Sequence, residues 1–284
     1  MTVAPEAPTR QAPEFLELEI TGKCQLTCPS LCYAEAGPTE GHGSMTTDDW
    51  KRVIGEAAEI GVKRVQLIGG EPTTHPDFET LAQHALDLGL AVQTYSNLYR
   101  VRAGHWDLFR HPKASLATSY HSDVAEEHDR VTGRQGSHRA TRANIVQALD
   151  RGIPLQVGIV HVFEGQRTAQ AREELLALGV RTVNVDRVRS VGRGEVHVPS
   201  TADLCGRCAD GRAAVMTDGG ITPCVLGRFL GTGNVKAEGL AAVFAGQRWR
   251  ETAASIPPRR VTACPPDDSG DCDPANTEAC DPAY

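Results

Sequence analysis

The sequence predicts an α/β fold: a partial (β/α)6 TIM-like barrel followed by a small cysteine-rich C-terminal domain. Three observations predict it. Apolar runs of strand length alternate with segments of helical period from residue 15 to about residue 186. Residues suited to binding a ligand fall just after those strands, where open α/β sheets and barrels hold their ligands. The nine cysteines fall in two groups, at 24–32 and 205–280, with none between.

The first strand is 17–20, within the run Phe15-Leu16-Glu17-Leu18-Glu19-Ile20. A Gly-rich passage at 37–45 leads to Thr46-Thr47-Asp48-Asp49, a helix start, because acidic side chains suit the positive end of the helix dipole. Trp50, Val53, Ile54, Ala57 and Ile60 then recur at helical spacing, and Gly61 ends the run. Next come strand 62–68, helix 77–88, strand 90–95, a short helix 103–110, strand 114–120, helix 139–150, strand 154–162, helix 168–178 and strand 180–185. From about Asp186 an irregular bridge containing Gly and Arg interrupts the alternation. A hairpin follows at 212–216 and 221–225, turning at Asp218-Gly219-Gly220, and then a helix at 240–252. Residues 1–14 read as a flexible segment, 15–186 as the barrel, and 187–284 as bridge and appendage. The last twenty residues carry no core-forming pattern, so only a bound metal would order them.

At 284 residues and 40% hydrophobic content the chain can fill one barrel core, and its net charge of −7 argues against a nucleic-acid partner. Neither a signal peptide nor a membrane span is visible, so a cytoplasmic location is expected. In that reducing compartment nine cysteines point to metal binding rather than to disulfides.

The run TGKCQLTCPSLCY places Cys24, Cys28 and Cys32 on one loop after the first strand, where three thiolates can grip an inorganic centre from one side. Four-iron clusters normally take four thiolates, so three leave one iron open for chemistry, whereas zinc knuckles use separated pairs. Gly69-Gly70-Glu71-Pro72 follows the second strand: paired glycines let a ligand approach the backbone, Pro72 stiffens the turn, and a carboxylate suits an ammonium. Cys205 and Cys208 form a CxxC pair, followed by Cys224, Cys264, Cys272 and Cys280. That spacing leaves zinc and iron both open.

In this order, at these strand ends, the motifs resemble those of radical SAM enzymes with a SPASM- or twitch-type extension, over residues 16–185 for the core. The resemblance implies that Cys24, Cys28 and Cys32 hold a 4Fe–4S cluster whose open iron chelates S-adenosylmethionine (SAM). The family spacing has two residues between the second and third cysteines. This chain has Pro29, Ser30 and Leu31, so a bulged loop is expected. Gly69, Gly70, Glu71 and Pro72 then correspond to the motif that meets the SAM amino group. Ser96 and Asn97 correspond to ribose contacts, Ser119 to a carboxylate or ribose contact, and Val160 to the adenine contact. Arg139 and Arg142 both stand as carboxylate partners. Segment 126–136, EEHDRVTGRQG, is similar to one in peptide-modifying members that follows the fourth strand and opens a helix, although as composition it reads as a charged, solvated loop. Tyr120 and His121 are candidate substrate contacts or proton donors, with Asp123 and Asp186 weaker candidates.

For the second group the resemblance favours iron. Cys208, Gly220 and Cys224 match the start of an auxiliary site, and Gly233-Asn234-Val235 with Leu240 and Trp249 matches the segment between the two cysteine sets. A full SPASM domain has seven cysteines and two auxiliary clusters; six here imply one or two, the first held by Cys205, Cys208, Cys224 and one tail cysteine. The implied activity is SAM cleavage to a 5′-deoxyadenosyl radical that takes a substrate hydrogen. Modification of a ribosomally made peptide by a thioether or carbon–carbon crosslink, or by epimerisation, is the first reading. Dehydrogenation or rearrangement of a small natural-product intermediate is the second, and a non-catalytic zinc or iron–sulfur scaffold or redox sensor the third. A reductant such as flavodoxin or ferredoxin is implied. Only about fifteen residues precede the first strand, against the ~50 a leader-binding domain needs, which leaves two expectations open: a separate leader-peptide-binding protein, or a substrate that is short or non-peptidic.

Overall fold

Strand β1 (Phe15–Thr21) sets the architecture because both of its faces are buried: Leu16, Leu18 and Ile20 on one side, Glu17, Glu19 and Thr21 on the other. A computed structural model describes residues 13–257 of the protein. Among them α1 (Thr47–Glu59), β2 (Arg64–Gly69), α2 (Phe78–Asp87), β3 (Ala91–Tyr95), α3 (Ala103–Phe109), β4 (Ala114–Ser119), α4 (Ala125–Thr132), α5 (Ser137–Asp150), β5 (Leu155–His161), α6 (Thr168–Leu178) and β6 (Thr182–Arg187) follow in turn. All neighbouring pairs from β1 to β6 are parallel, giving the open, partial barrel expected of six β/α units.

Local chemistry explains the elements. Thr46 caps α1 in a reciprocal box, its hydroxyl accepting from Asp49 N at 3.1 Å and Asp49 Oδ2 accepting from Thr46 N at 2.9 Å. The predicted apolar stripe of Trp50, Val53, Ile54 and Ala57 is buried against the sheet. Segment 126–136 is not a solvated loop: it forms α4, ends at Gly133 with φ +66°, and turns into α5 through Asp129. The Asp129 carboxylate accepts from Gly136 N (2.6 Å), Ser137 Oγ (2.8 Å) and His138 N (2.8 Å). The predicted helix 240–252 is two helices, α7 (Leu240–Ala245) and α8 (Gln247–Ser255), because Gly246 is extended at ψ 155°.

After the bridge, β7 (Arg212–Val215) pairs parallel to β1, so the hairpin extends the barrel sheet. With β8 (Gly220–Thr222) and β9 (Gly233–Asn234) added antiparallel, the order is β6-β5-β4-β3-β2-β1-β7-β8-β9. In-register partners share a face, so Glu17 lies beside Gln66 and Glu19 beside Ile68. The two buried carboxylates are matched from β7 and from the turn that follows β8. Glu17 accepts from Val225 N (2.9 Å) with Arg212 3.6 Å away, and Glu19 pairs with Arg228 at 3.1 Å. The predicted ligands Cys264, Cys272 and Cys280 lie outside the described residues.

Burial outweighs Arg228 and raises the Glu19 carboxyl above its ordinary value. A raised pKa contributes stability that is complete below the unfolded value and is lost as pH rises through the folded one. Glu19→Gln should therefore gain stability relative to the native protein as pH rises from about 4 upward. Arg228→Met, which strands the carboxylate, should lose about 3–5 kcal/mol at pH 7. Urea denaturation across that pH range reads both.

Candidate active site

The loop after β1 is closed by Cys24 N donating to Gly37 O (3.0 Å) and Gly37 N to Gly22 O (3.2 Å). Thr27 N and Cys28 N both donate to Thr132 O, at 3.1 and 3.0 Å, which docks the loop on the end of α4. That contact requires Gly133, since a Cβ there would lie 2.1 Å from Thr27 Oγ1. Cys28 (φ +31°) and Glu35 (φ +51°) both lie in the left-handed region, so the loop departs from ordinary backbone at these two residues.

Cys24, Cys28 and Cys32 line one cleft at the carboxyl ends of the strands. Donors are aimed at the sulfurs: Leu26 N and Asn97 Nδ2 at Cys24 Sγ (3.4 and 3.5 Å), and Ala36 N at Cys32 Sγ (3.4 Å). Such donors favour thiolates, but burial pushes the Cys24 thiol up to about 12 and holds Cys28 well above its usual value. Positive charge is needed to keep Cys24 and Cys28 ionised. Three sulfurs on one wall, with amide donors to each outer one, fit a 4Fe–4S cluster, whose irons supply that charge.

The glycine pair also makes a backbone contact that the sequence did not predict. A Cβ on Gly69, whose φ is +138°, would sit 2.2 Å from Thr21 O, and one on Gly70 2.5 Å from Lys23 O. Absent side chains let the end of β2 close on the root of the cysteine loop, with Gly70 N to Thr21 O at 2.7 Å and Glu71 N to Lys23 O at 2.8 Å. Both glycines also line the cleft. Glu71 lies wholly buried behind the wall: Oε1 accepts from Thr73 Oγ1 (2.6 Å) and N (3.2 Å), and Oε2 from Asn97 N (2.8 Å). Its carboxylate is thus committed to shaping the turn headed by Pro72 and to fixing Asn97.

Asn97 and Ser119 line the cleft; Ser96 and Val160 stand behind it. Ser96 Oγ accepts from Leu98 N (3.1 Å), and Val160 O accepts from Gln166 Nε2 (2.7 Å). Arg142 is committed to Glu174 (2.6 Å), and Arg139 is exposed. Arg193, which the sequence reading passed over inside the bridge, is the arginine that lines the cleft. Its only local signal is the flanking pair Gly192 and Gly194.

Tyr120 and His121 diverge. The Tyr120 hydroxyl turns behind the wall to Glu174 Oε2 (2.6 Å) and His138 Nε2 (2.8 Å), whereas His121 lines the cleft beside His128. Burial lowers His121 to about 4, so its ring is neutral at pH 7; it bonds the Val160 carbonyl, and Nδ1, with no bonded partner among the described residues, is an acceptor. Asp123 and Asp186 are held in ion pairs with Arg167 and Arg189, each at 2.6 Å. In the second group Cys208 Sγ lies 2.8 Å from Cys224 Sγ and also bonds Cys205, so three thiols from the two sides of the hairpin meet. Cys224 Sγ accepts from Gly227 N (3.2 Å) at the start of the turn Val225–Gly227.

Comparison with known proteins agrees with this geometry. The model of the Radical SAM superfamily matches residues 18–178, more than half of the chain. The chain is 36% identical over 161 residues to a PqqA peptide cyclase of Rhodopseudomonas palustris, covering 54% of this chain and 41% of that protein. It is 29% identical over 189 residues to an AdoMet-dependent heme synthase of Methanosarcina barkeri, covering 65% and 53%. It thus spans about half the length of these curated relatives. Streptococcus suis SuiB bound to the precursor peptide SuiA superposes with TM-score 0.72 at 15% identity, over 86% of this chain and 67% of that one. The anSMEcpe complex with AdoMet and the Cp18Cys peptide gives 0.64 at 12%, over 84% and 81%. At these identities the superpositions bear on the fold.

Glu71→Ala should unlatch Asn97 and leave the Thr73 and Asn97 donors unpaired. A loss of about 2–4 kcal/mol is expected in denaturant titration of the cluster-free protein.

Proposed function

Because the chain belongs to the radical SAM superfamily, we propose that it carries out reductive SAM cleavage and takes a hydrogen atom from a peptide substrate. The observation that carries the reading is the convergence of Cys24, Cys28 and Cys32 on one cleft with Gly69, Gly70, Asn97 and Ser119. When bound, the cluster and SAM supply one electron to the sulfonium and a 5′-deoxyadenosyl radical, leaving methionine and 5′-deoxyadenosine once the hydrogen is taken. The residues of the chain do the positioning. Asn97 holds Cys24 from the β3 side, and Glu71 fixes Asn97. Leu26, Leu31, Ala36 and Ile68 give the cleft an apolar lining that limits water, which would quench a carbon radical.

The peptide class is supported by the relatives named as PqqA peptide cyclases and by the likeness to SuiB bound to its precursor peptide. A thioether or carbon–carbon crosslink leaves one surplus electron on the substrate after hydrogen removal. Cys205, Cys208 and Cys224, with one tail cysteine, would hold the auxiliary iron–sulfur cluster that accepts it. The relative named as a heme synthase supports a second reading, dehydrogenation or rearrangement of a small natural-product intermediate at the same cleft. Either reading uses a small electron donor such as flavodoxin or ferredoxin and a cytoplasmic location. Among the described residues no helix is long and apolar enough to cross a membrane.

Anaerobic iron and sulfide analysis with EPR of the reduced full chain tests the reading. About eight irons per chain are expected, with one signal perturbed by SAM. A Cys24/Cys28/Cys32→Ala triple variant should keep about four irons and lose the SAM-sensitive signal, while a Cys205/Cys208/Cys224→Ala variant should keep it. Zinc in both sites with no response to SAM would sink the reading.

A further inference from the structure

The segment after β6 folds back over the cysteine loop and is tied down at several points. Arg189 pairs with Asp186 (2.6 Å) and donates to Asp203 O (2.6 Å), while the Ser190 hydroxyl bonds His197 O (2.5 Å) and accepts from Val196 N (3.1 Å) and His197 N (3.0 Å). At its middle, Gly192 and Gly194 press against backbone that no side chain could approach. A Cβ on Gly192, whose φ is +58°, would lie 2.4 Å from Tyr33 O and 2.5 Å from Cys32 O, and one on Gly194 2.6 Å from Arg189 O. Arg193 between them reaches the loop three times: Nε to Cys28 O (3.1 Å), Nη2 to Ala36 O (2.6 Å) and its own N–H to Cys32 O (3.0 Å).

We infer that Arg193 is a positioning residue for the catalytic cluster: its fork and backbone N–H fix the loop that carries Cys28 and Cys32, and its charge sits beside the thiolates. The inference rests on the cluster reading above. A guanidinium matches the task because it is planar, always charged, and offers donors in a rigid fork that spans two carbonyls at once; a lysine ammonium keeps the charge but not the fork. The geometry also places the cation where it bears on electron transfer. Reducing a thiolate-held cluster adds negative charge, so a nearby cation in a partly buried site favours the reduced form. The loop lies about 160 residues from the strap in sequence, as the separations of its bonds show. Cys205 follows Asp203 by two residues, so the strap also runs directly into the second cysteine group.

The test uses the full chain, reconstituted anaerobically, as wild type, Arg193→Lys, Arg193→Gln and Gly192→Ala. Iron release to a chelator and the midpoint potential from EPR-monitored redox titration are read on each. Arg193→Gln should release cluster iron about tenfold faster or more, the scale expected for losing hydrogen bonds from a charged donor, and its midpoint should become more negative. Arg193→Lys should release iron as fast as Arg193→Gln, yet shift the midpoint less. Gly192→Ala, which leaves the guanidinium chemically intact and forces the strap away, should also release iron faster. Wild-type release rates and midpoint in Arg193→Gln would overturn the inference, as would accelerated release with an unmoved midpoint, which marks a merely structural contact. Melting temperature and the second EPR signal from the same samples separate loop effects from misfolding. A wild-type chain that binds no iron would instead be a failure of the cluster reading itself.

Discussion

The structure depends on one close backbone approach, that of Gly69 and Gly70 to Thr21 and Lys23. Without two hydrogens in place of side chains, the end of β2 could not meet the point where the cysteine loop leaves β1. The approach fixes the root of the loop, buries Glu71, and gives its carboxylate to Thr73 and Asn97. Asn97 in turn meets Cys24. A steric allowance at two residues thus propagates through a buried acid to a thiol on the cleft wall.

A second constraint ties the two cysteine groups into one sheet. Glu17 and Glu19 are wholly buried, and a buried carboxylate is tolerable only when paired or hydrogen-bonded. Their partners, Arg212, the Val225 amide and Arg228, come from β7 and from the turn after Cys224. The turn that carries Cys224 is therefore seated by the charges of the first strand. The same strand continues into the loop of Cys24, Cys28 and Cys32, so both thiol groups are referenced to β1.

The order of strands and helices, the capped α1 and the three-cysteine loop could all be read from the sequence, because periodicity and capping act over a few residues. Segment 126–136 was legible only by its similarity to a family segment; its charge hides a helix whose end supports Cys28 through Thr132. The divergence of Tyr120 from His121 was not legible. Adjacent residues at a strand end share a sequence context, and only the packing of Glu174 and His138 draws one of them away from the cleft.

The sequence by itself determined the fold class, the location of the candidate site at the strand ends and the grouping of three thiols on one loop, all of which follow from local pattern and residue type. Tertiary structure alone decided that the glycine pair serves a backbone contact, that Glu71 is a latch, and that Arg193 closes on the cysteine loop. Each of these is a contact between segments far apart in the chain. Such contacts are selected by shape and by unsatisfied donors and acceptors that exist only once the sheet has brought both sides together.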